Sequence, residues 1–135
     1  MLTEIAIDAS TIVALYTPEE HSEWVRRVLG GHVKFHILDL TPYEVINALW
    51  VKTCVLKELS EGEFKETARE VWKFIDKLCL IHSHKEVRER SLNISIKYAL
   101  TIYDSSYIAL AQNLNMKLAT TDVKLFEKLK ETPLY

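Results

Sequence analysis

Ile5-Ala6-Ile7-Asp8 is a run of three apolar residues that stops abruptly at an acid. Three consecutive apolar side chains leave no face for water, so the run reads as a short strand buried on both sides. Leu118-Ala119-Thr120-Thr121-Asp122 repeats the arrangement far along the chain: a strand expected over 117–120, then an acid.

Helices are expected between the strands. One runs from about Ser10 and is stopped by Pro18. A second begins near Glu19, carries Trp24, Val25, Val28 and Leu29, and is closed by Gly30 and Gly31 in the manner of glycine at helix C-termini. A strand is expected over 33–38. Thr41-Pro42-Tyr43-Glu44 then opens a long helix through Val45, Ile46, Leu49, Trp50 and Val51. Ser60-Glu61-Gly62-Glu63 has the form of a capping box, and Phe64, Ala68, Val71, Trp72, Ile75 and Leu78 follow at the helical period. A short strand is expected over 78–81 and a helix from Lys85 to about Tyr98. Another helix starts at Asp104, with Ile108, Ala109, Ala111 and Leu114 on its buried side. A final helix covers 123–129, and the last residues form an edge strand. Short apolar strands alternating with helices imply an α/β fold: a parallel sheet covered on both faces.

The 135 residues correspond to one domain, 1–135, with no repeat, low-complexity tract or internal boundary. Apolar residues at 48% suffice for a core of that size. The formal charge of 17 − 19 = −2 argues against a sequence-independent nucleic-acid clamp, which is usually strongly basic. It leaves room for an enzyme whose acidic site offsets a basic surface elsewhere. Cys54 and Cys79 form no Cys-x-x-Cys pair and read as buried free thiols. No signal-peptide pattern or membrane-length apolar run is evident, so a cytoplasmic protein is expected.

The acids carry the chemistry. Asp8 ends the first strand, Asp122 follows the last, Asp104 opens a helix after the irregular 99–103 stretch, and Glu44 opens a helix that follows a strand. Ligands of open α/β sheets sit beyond the carboxyl ends of the strands, so four carboxylates distant in sequence would meet along one edge. Each has a plainer explanation. Aspartate is a favoured N-cap, and Thr41 with Glu44 three residues on and Pro42 at the first helical position makes a capping box. Capping does not explain so many acids at one edge. Gathered carboxylates repel one another and hold their protons unless a cation is present. Mg²⁺ and Mn²⁺ prefer such oxygen ligands, and the chemistry they support is hydrolysis of a phosphodiester.

The chain resembles the PIN-domain family along nearly its whole length. The resemblance lies in Ile7-Asp8-Ala9-Ser10, in Thr41-Pro42-Tyr43-Glu44, in Tyr103-Asp104-Ser105-Ser106-Tyr107-Ile108-Ala109-Leu110-Ala111 and in Leu118-Ala119-Thr120-Thr121-Asp122. It implies a three-layer α/β/α sandwich with a mainly parallel central sheet, and cleavage of single-stranded or loop RNA with Mg²⁺ or Mn²⁺. It carries over Asp8, Glu44, Asp104 and Asp122 as acidic, metal-holding catalytic residues, with Ser10 and Thr120 as supporting hydroxyls. The small size resembles the VapC-like toxins of toxin–antitoxin pairs, which implies a homodimer and a small antitoxin protein as partner. One departure is Thr121, where the family often has a basic or polar residue before the last aspartate.

Other features are given plainer roles. His82 and His84 lack the further ligands of a zinc site and read as surface histidines. Tyr103 and Tyr107 read as packing residues, with stacking on RNA bases the alternative. Lys85, Arg88, Arg90 and Lys97 read as a solvated helix face, some of them facing the phosphate backbone in the alternative. Trp24, Trp50 and Trp72 read mainly as core, or as part of a dimer interface. An aspartyl phosphatase would want a second aspartate where Ser10 stands. A phosphoacceptor receiver would want an acidic pair after the first strand. A non-catalytic PIN-like RNA-binding or scaffold protein is the main alternative, and it would be expected to lose acids that are all present here.

Overall fold

A computed structural model describes residues 4–32 and 34–130. Four strands, β1 (Glu4–Ile7), β2 (Lys34–Leu38), β3 (Cys79–His82) and β4 (Leu118–Ala119), form one sheet in the order β3-β2-β1-β4. All three pairings are parallel. Seven α-helices are described: α1 (Ala9–Tyr16), α2 (Ser22–Leu29), α3 (Thr41–Trp50), α4 (Glu61–Leu78), α5 (Arg88–Tyr98), α6 (Ile102–Asn113) and α7 (Val123–Leu129). A π-helical turn, Val51–Val55, prolongs α3, and a 3-10 turn, His84–Glu86, precedes α5. The strand expected at the end of the chain and the position of Val33 lie outside the described residues. No described helix is long and apolar enough to cross a membrane.

The pleat separates two cores. Ile5, Ile7, Phe35 and Ile37 point to one face and pack with Ile12, Val25, Val45, Leu49, Val71 and Phe74 from α1 to α4. Leu38, on the other face, packs with Ile94, Tyr107, Ile108, Leu110 and Leu125 from α5, α6 and α7. Alternate residues of a strand face opposite ways, so these two short strands serve both cores at once. The result is the three-layer α/β/α sandwich that the apolar runs imply.

The strand order places the site. From β1 the chain moves through β2 to β3 on one side, and β4 adds to the other side of β1. The order therefore reverses between β1 and β4, and at such a switch point the loops part to leave a crevice at the carboxyl edge. Asp8 and Asp122 follow the two strands that flank it. Asp104 arrives by a sharp turn: α5 closes on Ala99 in the left-handed conformation (φ 54°), and Thr101 then caps α6.

Local expectations fare unevenly. The Ser60–Glu63 capping box forms with both of its hydrogen bonds. The Thr41–Glu44 box does not: residue 40 occupies the cap position without a side-chain bond, and Thr41 and Glu44 turn inward. Helix α2 ends where Gly30 stands, but that glycine is right-handed (φ −60°), so no left-handed closure is used there. The tryptophans are not core. Trp24, Trp50 and Trp72 are 39%, 47% and 49% exposed, because the helical stripe carrying them is wider than the core it covers. Cys54 is exposed rather than buried, since it lies on the π turn beyond the end of α3, and Cys79 is half-buried.

Candidate active site

Asp8 is the buried centre. It caps α1, accepting the Thr11 backbone N–H on Oδ1 (3.1 Å). Ser10 Oγ donates to the same oxygen (2.7 Å), and Thr120 Oγ1 donates to Oδ2. The register makes the last bond possible. Ile7 pairs with Ala119, so the next residues on the two strands, Asp8 and Thr120, stand side by side. Both hydroxyls are themselves held: Thr121 N–H donates to Ser10 Oγ (3.2 Å) and Asp122 N–H to Thr120 Oγ1 (3.1 Å). Thr11 Oγ1 adds a bond to the Ala119 carbonyl (2.8 Å). Burial pushes the Asp8 carboxyl above its ordinary range despite these donors, which pull it down.

Glu44 is aimed by a directed chain of hydroxyls. Leu38 N–H donates to Thr41 Oγ1 (3.1 Å), Thr41 lies 2.7 Å from the Tyr107 hydroxyl, and Tyr107 donates to Glu44 Oε1 (2.6 Å). Since Thr41 accepts from the backbone and Tyr107 gives its proton to the carboxylate, Thr41 is the donor between them. Thr41 and Tyr107 are buried, so the chain is shielded from competing water. Burial raises the Glu44 carboxyl, the Tyr107 bond opposes this, and the charges of Asp8 and Asp104 raise it further. Tyr107 is itself pushed far above the usual phenol range, chiefly by burial, so it remains a donor.

Asp104 lies in the first turn of α6 and does not cap it; Thr101 Oγ1 accepts the Asp104 backbone N–H (3.1 Å) instead. Its carboxyl is raised first by burial, then by the charges of Asp122 and Asp8, with Lys128 opposing. Asp122 caps α7 by accepting Leu125 N–H (3.1 Å). The structure thus brings all four acids to one edge, near enough for Glu44 and Asp104 each to feel two of the others. Among the described residues none of the four forms an ion pair with Lys, Arg or His.

A groove of about 510 Å³ opens beside them, lined by Ser10, Val13, Glu19, Glu20, Glu44 and Thr121 among others. Glu20 extends its acidic character, while the charge of Glu19 is met by Lys52 at 2.8 Å. No three His, Cys, Asp or Glu side chains among the described residues are gathered closely enough to hold an ion unaided. A hard ion that keeps several of its waters does not need such a cage, and oxygen donors without a cationic partner are the set it prefers. The residues present therefore fit Mg²⁺ or Mn²⁺.

The PIN domain family model matches residues 5–131. The chain belongs to the PIN-domain family. This PIN domain is 40% identical to Ribonuclease VapC3 of Pyrobaculum aerophilum, over 93% of its own length and 94% of that protein. It is 28% identical to Exonuclease VapC9 of the same organism, over 96% and 89% of the two chains. Its fold matches a chain of a toxin–antitoxin complex from Klebsiella pneumoniae with a TM-score of 0.70, covering 96% and 93% of the two chains at 17% identity.

Reading this PIN domain as a sequence missed Thr41 and Tyr107 as site residues. The signal was the i, i+3 spacing that puts Thr41 with Glu44 on one helix face and Asp104 with Tyr107 on another. His82 is likewise half-buried rather than a surface residue. Its Nε2 lies 2.8 Å from His36 Nδ1, and the buried His36 reaches Glu4 Oε1 through Nε2 (2.8 Å). This pair is on the α5–α6 face of the sheet and serves packing. His84 is exposed, as expected. Tyr103 is exposed, and Lys85, Arg88 and Arg90 line a separate groove with Glu86 and Glu89.

Proposed function

We propose that this protein is a divalent-metal-dependent endoribonuclease that hydrolyses RNA phosphodiester bonds, and the toxin of a toxin–antitoxin pair. The observation that carries the reading is the convergence of Asp8, Glu44, Asp104 and Asp122 at the switch point of the sheet, with no ion pair to Lys, Arg or His among the described residues. The relatives named as a ribonuclease and an exonuclease, and the likeness to a chain of a toxin–antitoxin complex, support the nuclease and the antitoxin partner.

In this reading Asp8, Glu44, Asp104 and Asp122 would hold Mg²⁺ or Mn²⁺ together with several of its waters. When bound, the metal supplies an activated water and stabilises the leaving oxygen. The chain's own residues do the positioning. Ser10, Thr11 and Thr120 fix both oxygens of Asp8, so its direction is set before substrate arrives. Tyr107 fixes one oxygen of Glu44 and leaves the other for metal or water. Burial of these acids lowers the local dielectric, so the charge that develops on a phosphate is felt strongly there.

A homodimer is part of the proposal. Ile96 and Leu92, one turn apart on α5, are 85% and 52% exposed, an apolar surface that a second copy would cover. The soluble, cytoplasmic setting expected of the sequence belongs to the same reading.

A nuclease assay tests the function. Purified protein should cut single-stranded RNA internally when given millimolar Mg²⁺ or Mn²⁺, and stop in chelator. Release of single nucleotides from an end would make it an exonuclease. No cleavage with either metal, on a pool of randomised RNA, would leave the scaffold reading.

A further inference from the structure

A second pocket, of about 270 Å³, adjoins the acidic groove and shares His21, Thr121 and Val123 with it. Its remaining lining is Trp24 on α2, Phe126 on α7, and Thr120 and Asp122. Two aromatic residues from different helices thus face a space that begins at one of the four acids. Trp24 and Phe126 are 39% and 41% exposed. Both stand outside the two buried cores, and Lys130 Nζ lies 5.2 Å from the centre of the Phe126 ring.

We propose that this pocket takes one base of the RNA strand, next to the phosphodiester that is cut. The inference rests on the nuclease reading and adds where the substrate's base goes. A single strand presents two chemistries at each step, an anionic phosphate and a flat apolar base. The acidic groove, charged with metal, suits the first. The adjoining pocket is lined by two aromatic rings, Val123, His21 and two threonines, with Asp122 as its one acid at the side of the groove, and suits the second. Its volume falls just below the ~300 Å³ at which pockets for small molecules begin, room for a base rather than for a helix. Stacking on Trp or Phe tolerates any base, because every base has a π-face. Thr121, with its small side chain, lines both spaces together with His21 and Val123.

Binding and cleavage together test this. The protein is given a pool of randomised single-stranded RNA about 12 nucleotides long, within the span such grooves track. Binding is measured by fluorescence anisotropy in a Glu44→Gln background with Mg²⁺, and cleavage in the parent background. Trp24→Ala and Phe126→Ala should each weaken binding by about 5- to 100-fold and raise KM alike, with kcat nearly unchanged. Trp24→Phe should keep most of the affinity. An abasic ribose-phosphate strand of equal length should bind the Trp24→Ala variant and its background equally.

If the parent cuts RNA while both alanine variants bind and cut as the parent does, the base site is wrong and the nuclease stands. An abasic strand that loses as much affinity as RNA on Trp24→Ala would also overturn it. So would variants that keep RNA affinity but lose a protein partner, which would make the pocket a protein-docking surface. A parent that neither binds nor cuts the pool would overturn the nuclease reading and the pocket with it.

Discussion

Tyr107 on α6 gives its phenolic proton to Glu44 on α3 across 2.6 Å, tying together two segments 63 residues apart. The bond fixes the direction of the Glu44 carboxylate and opposes the rise that burial imposes on its pKa. Tyr107→Phe keeps the ring and removes only the donor. It should cost about 1–3 kcal/mol of stability, since the acceptor is a carboxylate and Thr41 loses its own acceptor. Because the bond holds the Glu44 pKa down, its loss should raise that pKa. The acid limb of the kcat/KM profile should then move to higher pH, while a purely structural tyrosine would change stability and leave the limb in place.

Glu44→Gln separates charge from geometry. A glutamine carbonyl can still accept from Tyr107, and Glu44 caps nothing, so melting temperature should change little. Cleavage should fall by about 100-fold or more, as expected for loss of an acid–base or metal-holding group. Full activity would remove Glu44 from the site.

Thr120 tests the support of Asp8. Thr120→Val keeps the shape but removes both the donor to Asp8 and the acceptor for Asp122 N–H. A loss of about 1–3 kcal/mol and a clear drop in cleavage are expected. Thr120→Ser restores the hydroxyl and should recover most of both. Equal behaviour of Val and Ser in denaturant titration and cleavage would show that the hydroxyl is idle.

The pH dependence of stability follows from the raised carboxyls. Asp8, Glu44 and Asp104 all lie above their ordinary values of 3.8, 4.5 and 3.8, so the folded protein binds protons more tightly than the unfolded chain. Their contribution to stability is then fully present below the unfolded values and is lost as pH rises through the folded ones. In chelator, the stability difference between parent and Asp104→Asn should turn against the parent as pH climbs through this window. Added Mn²⁺ should raise the parent's melting temperature and the variant's much less, because ligand bound only to the native state stabilises by mass action. Asp104 caps no helix, so its replacement leaves α6 anchored by Thr101. Equal slopes and equal metal responses in the two proteins would exclude Asp104 as a ligand.

Assembly is checked by sedimentation. At micromolar concentration the protein should run at twice its 15.7 kDa chain mass. Ile96→Glu, on the exposed face of α5, should return it to monomer. A monomeric parent would contradict the dimer.

Much of this molecule is legible in its sequence. Ile5-Ala6-Ile7 announces a strand with no wet face, and Asp8 marks its carboxyl end, which is where a parallel sheet keeps its ligands. Ser60 and Glu63 announce a helix start because a capping box is a local interaction between neighbours. What escaped depends on distant partners. Thr41 and Glu44 have the right spacing for a cap, and only the arrival of Tyr107 from another helix turns both inward. Trp24, Trp50 and Trp72 follow the helical period, but the width of the core beneath them is set by other elements. His36 looks unremarkable until β3 brings His82 beside it.

The pairing of β1 with β4 has a consequence for how the protein is made. Asp8 follows directly on the first strand, yet its partner Thr120 lies 112 residues later, and Asp122 beyond that. Contacts so far apart in sequence form late, and a growing polypeptide emerges from the ribosome N-terminus first. Strands β1 to β3 can pair while the rest is still being synthesised, but Thr120 and Asp122 cannot reach Asp8 until β4 has emerged and docked. A nascent chain halted anywhere before that point carries Asp8 without the Thr120 hydroxyl that holds its Oδ2.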